Sequence, residues 1–134
     1  FLGVYVMEKY LLDTHTFLWY LENNPSLNSK TRQIIANEEN QLFISIVSFW
    51  EIAIKIQLNK LELPEPFEGL FEKADALNIR ILPVKEKYLS SYLSLEFHHR
   101  DPFDRMIVAT AISEEISVLS KDANLKLYNI KLFW

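Results

Sequence analysis

The chain contains no cysteine, which removes disulfides, thiolate metal sites and thiol nucleophiles together. It contains only two glycines, Gly3 and Gly69, too few for a glycine-rich phosphate loop, so Walker-type and dinucleotide sites are excluded. No apolar run approaches the roughly 20 residues that span a bilayer. No stretch joins a basic start, an apolar middle and a small-residue cleavage site. The expectation is a soluble, cytoplasmic protein with no membrane partner. An excess of basic residues is also lacking. The net charge of −4 at first argues against nucleic acid, because Lys and Arg normally drive phosphate binding.

What is present suits one folded unit. A chain of 134 residues that is 49% apolar can build one hydrophobic core and is too short for two. Phe1-Leu2-Gly3-Val4-Tyr5-Val6 precedes the first methionine, Met7. We therefore expect a single domain over residues 7–134, with residues 1–6 as an upstream or added extension carrying no function.

Short apolar runs alternate with helical stretches. Tyr10-Leu11-Leu12 reads as a strand ending at Asp13, and a helix is expected from His15 to Glu22 before the turn Asn23-Asn24-Pro25. A polar helix from Asn28 to Asn37 and a strand over Leu42-Phe43-Ile44 follow. The next helix, from Val47 to Asn59, is closed by Pro64 and Pro66, which cannot continue it. Further helices are expected at Phe67–Leu77, Lys85–Leu95 and Pro102–Glu115, with strands at Ile79–Leu82, Ile116–Leu119 and Ile130–Phe133. Strands separated by helices imply right-handed crossovers, hence an α/β fold of three layers with a mainly parallel central sheet flanked by helices.

In such sheets ligands bind beyond the carboxyl ends of the strands, where the strand order reverses. Asp13 follows the first strand and Asp122 the fourth, so both acids are candidates for that crevice. Glu51 shares a helix face with Val47, Ile54 and Leu58, where an unpaired charge is costly to bury. The plainer alternative for Glu51 is an exposed i, i+4 pair with Lys55. His98-His99-Arg100-Asp101-Pro102-Phe103-Asp104-Arg105 is the densest polar segment. Asp101 there fits a helix N-cap before a proline, and Asp104 falls in the first turn of an apolar helix. Each acid alone also fits an ordinary cap or turn. Together they suggest an all-oxygen site for a hard cation such as Mg²⁺ or Mn²⁺, able to assist phosphodiester hydrolysis. Neutralising Asp13, Glu51, Asp104 and Asp122 would cancel the net charge of −4, so overall charge decides little.

Leu12-Asp13-Thr14-His15-Thr16-Phe17-Leu18-Trp19 resembles the start of the PIN-domain ribonucleases, in particular toxins of VapBC type. Ser45 to Lys55, containing Phe49-Trp50-Glu51-Ile52-Ala53, is similar to that family's second motif. His99-Arg100-Asp101-Pro102-Phe103-Asp104-Arg105, followed by Met106 to Ala111, resembles the third. Leu119-Ser120-Lys121-Asp122 is similar to the fourth, where threonine is more frequent at the position of Ser120. The resemblance implies a PIN-like fold and a Mg²⁺- or Mn²⁺-dependent endoribonuclease. It also implies inhibition by a cognate VapB-type antitoxin and a homodimer.

By the same resemblance, Asp13, Glu51, Asp104 and Asp122 are the metal-binding and catalytic acids, with Asp101 an accessory. Lys55, Arg100, Arg105 and Lys121 are the nearest basic groups and are candidates for RNA phosphates; ordinary ion pairing with the same acids is the alternative. The apolar residues between Leu58 and Leu77 (Leu61, Leu63, Phe67, Leu70, Phe71) suit either a groove for an antitoxin helix or plain packing. The rival functions are a non-catalytic α/β metal-binding or receiver-type module and a related DNA-directed nuclease.

Overall fold

Five strands, β1 (Lys9–Leu12), β2 (Gln41–Ser45), β3 (Ile79–Leu82), β4 (Ser117–Leu119) and β5 (Leu132–Phe133), form one sheet in the order β3-β2-β1-β4-β5. Every pairing is parallel. The computed structural model describes residues 8–98 and 100–134. The extension expected over residues 1–6 lies outside the described residues, as does His99. The strand order reverses between β1 and β4, so the crevice expected from sequence opens beside Asp13 and Asp122.

The helices α1 (Thr14–Glu22), α2 (Ser29–Ala36), α3 (Ile46–Gln57) and α4 (Gly69–Ala76) contribute to one apolar layer. Alternation along the strands decides which side chains meet them. Tyr10, Leu12, Leu42, Ile44 and Ile79 pack with Phe17, Ile35, Phe49, Ile52 and Leu70. The intervening Leu11, Phe43, Leu82 and Val118 face the other layer, made chiefly by Ile107, Val108 and Ala111 of α6 (Pro102–Glu114). Helix α5 (Glu86–Ser94) packs on α6 through buried Tyr88, whose hydroxyl donates to Glu114 Oε2 at 2.5 Å. Among the described residues, no helix is long and apolar enough to cross a membrane.

Boundaries differ from expectation at the caps. Helix α1 starts at Thr14, because Asp13 takes extended backbone and its side chain accepts from Thr14 N. Helix α4 starts two residues later than expected. A 3₁₀ turn over Ala123–Leu127, begun by Asp122, was not expected; its side chain accepts from Asn124 N. Asn23, Asn59 and Asn78 adopt left-handed backbone next to helix ends, where asparagine is tolerated. Of the apolar set between Leu58 and Leu77, Leu70 is buried, and Leu61, Leu63, Phe67 and Phe71 pack against the core. Phe71 stacks on Phe49 at 4.5 Å between ring centroids. Packing therefore accounts for most of that segment. What remains open is a small apolar hollow of about 60 Å³ between Leu18 and Leu21 of α1 and Leu63, Pro64, Pro66 and Leu70.

Candidate active site

A cavity of about 370 Å³ opens at the carboxyl ends of β1 and β4, and Asp13, Glu51, Asp101, Asp104 and Asp122 all line it. Four different parts of the chain supply these acids. Strand β1 ends where Leu12 gives way to Asp13, whose backbone N–H donates to Leu119 O of β4 at 3.1 Å. That bond fixes the start of α1 against the adjacent strand. Asp13 itself is only 3% exposed. Burial pushes its carboxyl above the usual range. His15, the Ser120 hydroxyl and the Thr14 N–H oppose that shift, and the Glu51 charge adds to it.

A hydrogen-bond framework holds the acids. Thr14 N donates to Asp13 Oδ1 at 2.8 Å. Ser120 Oγ donates to Asp13 Oδ2 at 2.6 Å and accepts Asp122 N–H at 3.0 Å. Thr14 Oγ1 donates to Glu51 Oε1 at 2.7 Å and lies 2.9 Å from Ser48 Oγ. His15 Nδ1 lies 3.5 Å from Asp13 Oδ2, while His15 Nε2 accepts the Lys121 N–H at 3.2 Å. An acceptor at Nε2 leaves the neutral ring's proton on Nδ1, facing the carboxylate.

Glu51 makes the expected i, i+4 pair with Lys55, but from a largely buried position on the cavity wall. Its side chain is only 13% exposed, and Oε2 lies 3.2 Å from Lys55 Nζ. The neighbouring stripe is less apolar in function than in sequence, since Leu58 is exposed. Asp101 is indeed the N-cap of α6, accepting from Phe103 N at 2.8 Å and Asp104 N at 3.2 Å. The cap and the cavity wall are the same carboxylate. Asp104, in the first turn of that helix, lies half-buried on the same wall.

The basic candidates separate. Lys55 lines the cavity in its pair with Glu51, and Lys121 is exposed beside Asp122 with Nζ 5.8 Å from the Trp19 ring centroid. Arg100 is exposed. Arg105 corrects the expectation. It is 4% exposed, its guanidinium lies over Tyr92 and Phe97 at 4.9 and 4.6 Å, and Nη1 donates to Glu96 O and Tyr128 Oη. Its guanidinium packs into the α5–α6 layer and does not line the cavity. Sequence reasoning missed Thr14, Ser48 and Ser120 as positioning groups, and Lys60 as a cavity-lining cation. Their signal was adjacency to the acids, which for hydroxyls is too common to read.

Among the described residues, no three acids form a preformed metal-ligand cluster. The donor set nevertheless suits a hard divalent cation. It is wholly carboxylate oxygen on the acid side, and Asp13 carries a burial cost that a cation would offset.

The PIN domain family matches residues 10–131. A ribonuclease of Mycobacterium tuberculosis (strain ATCC 25618 / H37Rv), VapC22, is 25% identical over 121 residues, spanning 90% of this chain and 92% of that protein. Among solved structures, VapBC2 from Rickettsia felis bound to a promoter DNA fragment aligns with a TM-score of 0.68 at 18% identity, covering 93% and 97% of the two chains. FitAcB from Neisseria gonorrhoeae aligns with a TM-score of 0.65 at 20% identity, covering 93% and 96%. These structures share the three-layer parallel fold.

Proposed function

Because this chain belongs to the PIN-domain family, we propose that it is a metal-dependent endoribonuclease and the toxin of a type II toxin–antitoxin pair, acting in the cytoplasm. The observation that carries the proposal is the gathering of Asp13, Glu51, Asp101, Asp104 and Asp122 around one cavity at the sheet's reversal point. The VapC22 ribonuclease, alike over nine-tenths of this chain, supports the RNA assignment.

Asp13, Glu51, Asp104 and Asp122 are the residues that would hold Mg²⁺ or Mn²⁺, with Asp101 beside them. When bound, the cation supplies Lewis-acid polarisation of a phosphodiester and lowers the pKa of water. The chain's own part is positioning. Ser120, Thr14 N–H and His15 fix both oxygens of Asp13, and Thr14 Oγ1 with Lys55 fixes those of Glu51. Asp101, by capping α6, sets the direction of the turn that carries Asp104. Lys55, Lys60 and Lys121 supply positive charge at or beside the mouth for RNA phosphates.

The receiver-type alternative fails on topology. Receivers have the strand order 2-1-3-4-5 and an acceptor acid after the third strand. Here the order is β3-β2-β1-β4-β5, and Pro83 follows β3.

Two partners belong to the proposal. A VapB-type antitoxin would seat an apolar side chain in the hollow between α1 and the segment 63–70, and a second copy of the chain would complete a homodimer. The deciding experiment is cleavage of total cellular RNA by purified, antitoxin-free protein with Mn²⁺ or Mg²⁺, with EDTA, and as Asp104→Asn. Discrete fragments that require metal and vanish in the variant are the expected result. Absence of cleavage by folded, metal-loaded protein, with DNA cut instead, would move the assignment to a DNA-directed nuclease.

A further inference from the structure

Beside the carboxylate cavity lies an aromatic cluster that the proposed chemistry does not use. His15 and Trp19, on α1, meet Trp134 in a closed triangle. Ring centroids are 4.9 Å apart for His15–Trp19, 6.0 Å for His15–Trp134 and 5.8 Å for Trp19–Trp134, all tilted or edge-on. All three residues are half-buried, so the rings pack on the core from one side and meet solvent on the other. His15 belongs to both features. It lines the cavity, with Nδ1 3.5 Å from Asp13 Oδ2, and its ring also meets both indoles of the cluster. Lys121 extends over the Trp19 ring with Nζ 5.8 Å from the centroid, and its backbone N–H is held by His15 Nε2.

An aromatic cluster with an ammonium over one of its rings, continuous with the carboxylate cavity, matches a single nucleotide. An unpaired base offers a flat π-face of any sequence, and its phosphate offers the anion. Charge alone recruits RNA poorly here. The net charge is −4, Lys55 also pairs with Glu51, and Arg105 is buried. Stacking would add affinity to the phosphate contacts of Lys60 and Lys121.

We propose that His15, Trp19, Trp134 and Lys121 form a nucleotide subsite in which an unpaired base of the RNA strand, next to the scissile phosphate, stacks on the indoles while Lys121 meets its phosphate. This rests on the ribonuclease assignment and adds to it a base-stacking surface beside the cut.

The test uses the full chain as Asp104→Asn with Mg²⁺, so that RNA is bound without being cut. Fluorescently labelled single-stranded oligoribonucleotides are titrated, along with the same oligonucleotides carrying one abasic site walked along the strand, and with duplex RNA. Trp134→Ala is expected to weaken single-strand binding by roughly tenfold to a hundredfold, as expected for one lost base–aromatic stack. The abasic oligonucleotide is expected to lose about as much against the parent protein and nothing further against Trp134→Ala. Trp19→Phe, which keeps a ring against the core, is expected to retain most binding. Lys121→Ala is expected to flatten the salt dependence by about one phosphate contact.

Equal affinity of folded Trp134→Ala for intact and abasic strands, both at parental strength, would overturn the subsite. If the unsubstituted protein still cleaves RNA in metal, the ribonuclease assignment survives that result. A protein that neither binds nor cleaves RNA would overturn both.

Discussion

The Ser120 hydroxyl donates to Asp13 Oδ2 at 2.6 Å while accepting the Asp122 N–H at 3.0 Å, so one oxygen ties together acids that follow β1 and β4. Ser120 is buried, with only 1% of its surface exposed. Replacing Ser120 with alanine removes a donor from a desolvated carboxylate and leaves the turn at Asp122 without its side-chain anchor. Loss of such supporting bonds typically costs about 10- to 100-fold in metal affinity or activity. Ser120→Ala is therefore expected to lower Mg²⁺-dependent RNA cleavage by that factor, and Ser120→Thr to restore it. Titration of metal dependence in both variants checks the prediction. An alanine variant with parental metal affinity would show that Asp13 is held adequately by Thr14 and His15 alone.

Asp101 has two duties that one substitution separates. Its carboxylate caps α6 and also lines the cavity. Serine at this position can still accept from the first-turn N–H groups but carries no charge. Asp101→Ser is expected to leave thermal stability within a few tenths of a kcal/mol of the parent, whereas Asp101→Ala is expected to lose about 1 kcal/mol through the missing cap. If the serine variant melts normally but cleaves slowly, the charge contributes to the site. Full activity in the serine variant would limit Asp101 to its cap.

The architecture was legible in the sequence because its signals are local. Tyr10-Leu11-Leu12 and Leu42-Phe43-Ile44 read as buried strands, and Pro102 after Asp101 marks the start of α6 as a proline at the first helical position does. Asp13 and Asp122 were placed together by topology, since acids beyond the ends of strands either side of a reversal share a crevice. The fate of Arg105 was not legible. A basic residue next to Asp104 looks like a site group until tertiary packing supplies Tyr92, Phe97 and Tyr128 from three other segments. Phe71 stayed open between groove and packing for the same reason, because its partner Phe49 lies on another helix. The turn after Asp122 is short and has no apolar period, so only its cap bond to Asn124 N reveals it.

Tyr88 and Glu114 make stability depend on pH at both ends. The Tyr88 hydroxyl donates to Glu114 Oε2, and Lys87 Nζ lies 3.0 Å from the same oxygen. The phenol bond, then Lys87 and Lys85, hold the Glu114 carboxyl below the usual range despite partial burial. Burial first, and then Glu114, push the Tyr88 phenol well above its ordinary value. A carboxylate depressed in the fold contributes stability above its unfolded pKa, lost as pH falls through the folded one. A phenol raised in the fold contributes stability below its unfolded pKa near 10, lost as pH rises beyond it. Tyr88→Phe is expected to cost about 1–3 kcal/mol near neutral pH, as for a bond to a charged acceptor. The gap between parent and variant is expected to narrow below about pH 4 and above about pH 10. Urea melts at pH 3, 7 and 10.5 check this, and a gap constant across that range would contradict it.

Glu115 closes α6 in left-handed backbone, with φ 55 and ψ 47. Unlike the asparagines at the other left-handed positions, glutamate has no short amide to hydrogen-bond its own backbone, and its Cβ crowds the following carbonyl. The side chain is exposed, so removing it forfeits no packing. Glycine relieves the strain but leaves a looser unfolded chain, so the two effects partly offset. Glu115→Gly is expected to raise stability by up to about 1 kcal/mol, with Glu115→Asn close behind. Asp104 sits at the other end of α6, eleven residues and roughly 16 Å away along the helix axis. Cleavage should therefore be unchanged while the melting temperature rises. A fall in stability for both variants would mean that the Glu115 side chain makes a contact worth more than the backbone strain it imposes.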